Sequence, residues 1–148
     1  MLRFVLIGAA ALTFCAAQAS AQALSPDQII AVRQAFMDLQ GGNAAAMKAA
    51  VEAKEDVKPL AASAKALVSS SRMIPTLFPA GTEKGHDTKA KPEVWSDRAG
   101  FEKAAANLGA QAEKLAAAAD ANDKAAFATQ FAAVGQACGG CHRPYRAQ

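Results

Sequence analysis

Apolar positions along this chain recur every three or four residues, and no strict alternation appears. That pattern predicts helices and no sheet. The first helix opens at Ser25-Pro26-Asp27-Gln28, where an N-cap serine, a proline at the first helical position and a glutamine two residues further form a capping box. Ile29, Val32, Phe36, Leu39, Met47 and Val51 lie close to one stripe, which predicts a helix to about Ala53 with those side chains inward. Gly41-Gly42 is expected to bend or loosen it. A second helix is predicted from about Lys58 to Met73, with Leu60, Ala64, Leu67 and Val68 inward and Pro75 and Pro79 ending it.

Residues 74–91 form a connection too long for a plain turn, which suggests a place beside a functional site. The third helix is expected to start at Pro92-Glu93, with Trp95, Phe101, Leu108 and Leu115 repeating nearly every seven residues. After a turn at Asp120-Ala121-Asn122-Asp123, the fourth carries Phe127, Phe131, Val134, Cys138, Cys141 and Tyr145 on one continuous stripe. Four such helices predict an all-α antiparallel bundle. The abundance of alanine and the scarcity of β-branched and aromatic residues agree.

The N-terminus reads differently. Arg3, the apolar run from Phe4 to Ala17 and small residues at Ala19, Ala21 and Ala23 make a secretory signal peptide, assigned to residues 1–23, with a domain at 24–148. The alternative, a membrane anchor, needs roughly 20 apolar residues. No second run is long enough to span a bilayer. The formal charge is +3, and no concentrated basic stripe points to nucleic acid.

Of three cysteines, Cys15 leaves with the signal, so the mature chain keeps Cys138 and Cys141, followed at once by His142. A disulfide across so short a loop would stabilise little. A thioredoxin-like pair belongs beside a βαβ unit, and none is predicted. A structural zinc site needs four ligands, whereas only distant His86 could join these three. Cys-x-x-Cys-His instead reads as covalent attachment of one c-type haem: two thiols one helical turn apart reach the two vinyl groups, and the histidine ligates iron.

These residues carry a resemblance. The ending Cys138-Gly-Gly-Cys141-His142-Arg-Pro-Tyr145-Arg146 resembles the Cys-x-x-Cys-His-x-x-Tyr-Arg pattern of the class II c-type cytochromes, the cytochrome c′ family. Leu24 to Gln34 resembles the family's first helix, and Lys91 to Asp97 the start of its third. The likeness implies the up-down-up-down topology, for which cytochromes c′ are themselves a standard example. Pro144 departs from the pattern and is expected to fray the last turn.

The resemblance also implies roles. The family places the residue overhanging the distal iron face four after the first-helix arginine, which here makes it Met37 after Arg33. A methionine there implies the low-spin branch, with sulfur as sixth ligand and a periplasmic electron carrier that is not an enzyme. Met/His ligation raises the potential and suits that role. Read by spacing alone, Met37 is more readily a core filler than a ligand. The rival readings are a five-coordinate binder of NO or CO and a weak peroxidase, the latter lacking a distal histidine–arginine pair. Arg33 is expected near a haem propionate and Arg146 near His142; Trp95, Phe127, Phe131 and Tyr145 are candidate haem contacts. Partners implied are periplasmic redox proteins and a second copy, through the first two helices.

Overall fold

A computed structural model describes residues 23–148, so the signal-peptide assignment lies outside the described residues but for Ala23. The chain forms four long helices and one short one: α1 Pro26–Ala53, α2 Ala61–Met73, α3 Glu93–Ser96, α4 Arg98–Asp120 and α5 Lys124–Tyr145. Single 3-10 turns, Lys58–Leu60 and Ile74–Leu77, bracket α2. The four long helices make the expected bundle.

Local chemistry sets the boundaries. At the start of α1 the Gln28 amide donates to Ser25 Oγ at 3.3 Å, and the Ser25 amide donates to Gln28 Oε1 at 2.8 Å. These two bonds satisfy amides that no helical turn could reach. Lys54, at φ 56°, ends the helix in the left-handed conformation. Asp97 interrupts the predicted third helix: at φ −113° and ψ 56° it leaves helical geometry, and its carboxylate caps α4 by accepting from the Gly100 amide at 3.1 Å. Asp123 caps α5 in the same way, accepting from the Ala126 amide at 2.9 Å.

Two expectations about α1 are corrected. Gly41-Gly42 does not interrupt it. Its inward face runs through Ile30, Arg33, Met47 and Ala50, while Val32 and Leu39 point out, Leu39 at 72% exposure. Of the predicted stripe, Met47 is buried and Phe36 and Val51 pack against the core, whereas Val32 and Leu39 are turned outward because Arg33 occupies the inward position beside Val32.

The core lies along α4, which packs against both α2 and α5. Phe101, Ala105, Leu108, Ala112 and Leu115 of α4 meet Leu67 of α2 and Phe127 and Val134 of α5 in one apolar cluster. At Gly109 a Cβ would come within 2.6 Å of Ser71 Oγ, so the missing side chain lets α2 and α4 approach closely. At the far end, Asn122 Oδ1 accepts from the Val57 and Lys58 amides at 2.9 and 3.1 Å, tying the α4–α5 turn to the entrance of α2.

Candidate haem site

Helix α5 sets Cys138 and Cys141 on its core-facing stripe, where both are half-buried and packed against the apolar cluster. Both are free thiols. Burial pushes both thiol pKa values up, Cys141 further raised by Cys138. Their surroundings are thus unlike the electropositive sites that hold the low-pKa cysteines of redox catalysts. His142 is exposed by surface area, yet neighbouring chain crowds it enough to lower its pKa, with the Arg146 charge adding to that. Both effects favour the neutral imidazole, the form that ligates a metal. Among the described residues no group of three or more His, Cys, Asp or Glu is arranged to hold a bare ion.

The last turn of α5 stays helical through Pro144, which corrects the expectation of fraying. Its terminal carbonyls find donors: His142 O accepts from the Arg146 amide at 2.9 Å, Arg143 O from Lys91 Nζ at 2.9 Å, and Tyr145 O from the Lys91 amide at 3.0 Å. Ala147 returns a bond to Lys89 O at 2.7 Å, so residues 89–91 run antiparallel beside the tail that follows His142. The long connection thus does end against the haem-bearing helix.

Tyr145 is buried and donates to Asp97 Oδ2 at 2.7 Å. Its ring meets Phe101 edge-on at 5.2 Å, Phe101 meets Phe78 at 5.0 Å, and Phe78 meets Trp95 at 6.1 Å. Trp95 is half-buried and donates its indole N–H to Pro79 O at 3.1 Å. Arg33 closes this row, with its guanidinium carbon 4.6 Å from the Phe78 ring centre and 5.7 Å from that of Trp95. It is only 3% exposed and donates to Thr82 Oγ1 at 2.7 Å, Thr82 O at 2.8 Å and Thr88 Oγ1 at 2.6 Å. Burial pulls its pKa down, with Glu83 partly opposing. Arg98 braces the same connection from the other side, donating to Phe78 O at 3.2 Å and Pro75 O at 2.7 Å.

Met37 and Phe36 of α1 are half-buried against the core, as is Phe131 of α5, while Phe127 is wholly buried. Phe127 stands three turns from Cys138, about 16 Å along the helix axis, among ordinary core residues. Arg146 is exposed, just past α5. The sequence reading missed Thr82, Thr88, Phe78, Asp97 and Arg98. Only Asp97 left a local signal, as a helix-capping residue type before Arg98.

A flat apolar macrocycle joined to Cys138 and Cys141 would pack against the same apolar cluster as they do. Met37 and Phe36 on α1, Trp95 on α3 and Phe131 on α5 each keep apolar surface partly uncovered at the edge of the core. Cys138 and Cys141 would supply the two linkages and His142 one nitrogen donor, the set that haem c requires.

The profile of the cytochrome c′ family matches residues 28–146. The chain belongs to the cytochrome c′ family. Its cofactor is one covalently attached haem c. The cytochrome c′ of Rubrivivax gelatinosus is 40% identical over 124 residues, covering 82% of this chain and 95% of that one. A cytochrome c-556 of Agrobacterium tumefaciens is 31% identical over 116 residues, covering 77% and 93%. Among solved structures, a cytochrome c′ with ligand-controlled dimer dissociation superposes with a TM-score of 0.80 at 31% identity, covering 86% of this chain and all of that one. The nitric oxide complex of a cytochrome c′ variant from Alcaligenes xylosoxidans gives 0.77 at 30%, covering 86% and 99%. The low-spin, methionine-ligated branch is not singled out by these similarities, which corrects that expectation. Spacing could not decide it, because a packing methionine and a ligating one occupy the same helical position. Among the described residues no helix is long and apolar enough to cross a membrane.

Proposed function

We propose that this cytochrome c′ binds a small diatomic gas, NO or CO, on the haem face opposite His142. The observation that carries this reading is the pairing of a half-buried Cys138/Cys141 set and an adjacent His142 with a fold whose solved relatives include a nitric oxide complex. Haem supplies an iron that accepts such a ligand on its free face. The chain does the rest. Cys138 and Cys141 fix the macrocycle's edge to α5, and His142 offers nitrogen from one side. Met37, four residues after Arg33, overhangs the other side as an apolar wall that admits a small uncharged molecule and excludes a large one. On this reading the protein is a binder, not an enzyme, and works in the periplasm after residues 1–23 are removed.

A second reading has the Met37 sulfur on iron and electron transfer as the role. Met37 favours it, being half-buried on the inner half of α1 where a thioether could reach a ring between α1 and α5. The two separate on visible spectra of the oxidised, reduced and CO-treated reduced protein. High-spin bands that shift strongly with CO support gas binding. Sharp, split low-spin bands indifferent to CO support the carrier, and Met37→Ala would then make them CO-sensitive.

Self-association belongs to the same reading. Val32, Ala35, Leu39, Gly42, Ala46 and Ala49 are all exposed and recur at intervals of three and four, a smooth stripe along α1 suited to a second copy. Leu39→Asp should shift sedimentation equilibrium towards monomer.

A further inference from the structure

The buried guanidinium of Arg33 presents a physical problem. Removing an unpaired charge from water is costly unless fixed partners replace the hydration. Within the chain the guanidinium is held by neutral groups. Its partners are two threonine hydroxyls and one carbonyl, 49 and 55 residues further along the chain, with the Phe78 and Trp95 rings against its face. The hydroxyls are themselves oriented. Thr82 Oγ1 donates to Pro79 O at 2.9 Å, and Thr88 Oγ1 accepts from the Ala90 amide at 3.2 Å, each leaving a lone pair for Arg33.

The segment so gripped continues directly into residues 89–91, which bond to Tyr145 and Ala147 beyond His142. Its tip also leans on α1: Gln34 Nε2 donates to His86 O at 3.1 Å, and a Cβ on Gly85 would lie 2.6 Å from Asp27 Oδ1. Helix α1 itself has little direct contact with α5. Thus one strap joins the helix that carries Met37 to the helix end that carries His142.

We propose that Arg33, Thr82 and Thr88 are positioning residues, a latch that holds α1 against the haem-bearing end of α5 and so sets how closely Met37 covers the gas-binding face. This rests on the gas-binding reading for Met37, while the latch itself does not. Because the strap bonds to α1 at one end and to Tyr145 and Ala147 at the other, releasing it frees α1 from the end of α5 without touching either cysteine or His142.

The test compares Thr82→Val/Thr88→Val with Thr82→Ser/Thr88→Ser in the full mature chain. Valine keeps the shape and removes both acceptors; serine keeps the hydroxyls. Amide hydrogen exchange is followed at Lys91 and Ala147, with Leu108 in α4 as the internal reference. In the valine variant the two strap amides should exchange at least tenfold faster while Leu108 stays unchanged, and CO association should quicken severalfold. The serine variant should behave as wild type in both. Uniform acceleration across the molecule, or strap amides that do not respond, overturns the latch; strap release with unchanged CO kinetics overturns its positioning role. If the double valine chain fails to fold, Thr88→Val alone, at the part-buried bond, serves the same comparison. A wild-type chain without haem defeats the reading of the cofactor site, and the exchange rates still decide the latch.

Discussion

Helices α1 and α4 are both long and rich in alanine, yet they are held in opposite ways. Nine α4 residues are buried, all apolar, against α2 and α5. Only four α1 residues are buried over 28 positions, and one of them is Arg33. Helix α4 is fixed by the removal of contiguous apolar surface from water, which is non-directional and strong. Helix α1 depends more on directional bonds at one end and on whatever lies between it and α5. On the proposed reading the cofactor would pack against α1 and be attached to α5, while α4 serves as the frame for both.

The sharpest way to break this asymmetry is to remove the attachment. Cys138→Ser/Cys141→Ser should abolish covalent haem, read as loss of haem stain on a denaturing gel. Hydrogen exchange in the resulting chain should rise along α1 and change little along α4. Equal loosening of both helices would show that α4 is no independent frame. The next effect is energetic. Leu115 is fully buried, and Leu115→Ala should cost about 2–5 kcal/mol in urea unfolding. Leu39 lies on the outward face of α1, and Leu39→Ala should stay within about 0.5 kcal/mol for the monomer.

How much of this was legible depends on whether the cause was local. Ser25, Pro26 and Gln28 state the start of α1 within four residues, and the Cys-x-x-Cys-His run with the apolar stripe behind it marks the proposed attachment site. The partners of Arg33 could not be read, since Thr82 and Thr88 join it only in the folded chain. That same contact misdirected the reading of α1: with Arg33 inward, Val32 and Leu39 turn outward. The break at Asp97 was hidden because Trp95 and Phe101 keep an acceptable helical spacing across it. The state of Met37 is a matter of bonding to a metal, on which helical periodicity is silent.

Caps offer a smaller version of the comparison. Asp123→Ala removes the cap of a helix embedded in the core and should lower global stability by about 1 kcal/mol. Ser25→Ala removes an equivalent bond at the exposed start of α1, where fraying of the first turn relieves the loss. Its urea midpoint should therefore move less, while the amides of residues 27–29 exchange faster. An equal drop in the two midpoints would mean that α1 unfolds together with the core.

A further effect concerns the hydrogen bond that joins the end of α5 to the cap of α4. The Tyr145 hydroxyl donates to Asp97 Oδ2, and this bond, more than burial, pushes the tyrosine pKa up to about 12 from its usual 10.0. A neutral acid whose folded pKa is raised contributes stability in full below its unfolded pKa, and loses it as pH climbs through the folded value. The contribution of Tyr145 should therefore be constant up to about pH 9, decline between about pH 10 and 12, and vanish above. Tyr145→Phe keeps the ring against Phe101 and deletes the hydroxyl. Lysine titration in the same range affects both proteins alike, so the difference between their urea midpoints isolates the bond. That difference should shrink steadily from pH 9 to 12; a gap that stays constant would mean that Tyr145 holds the two helices together through its ring alone.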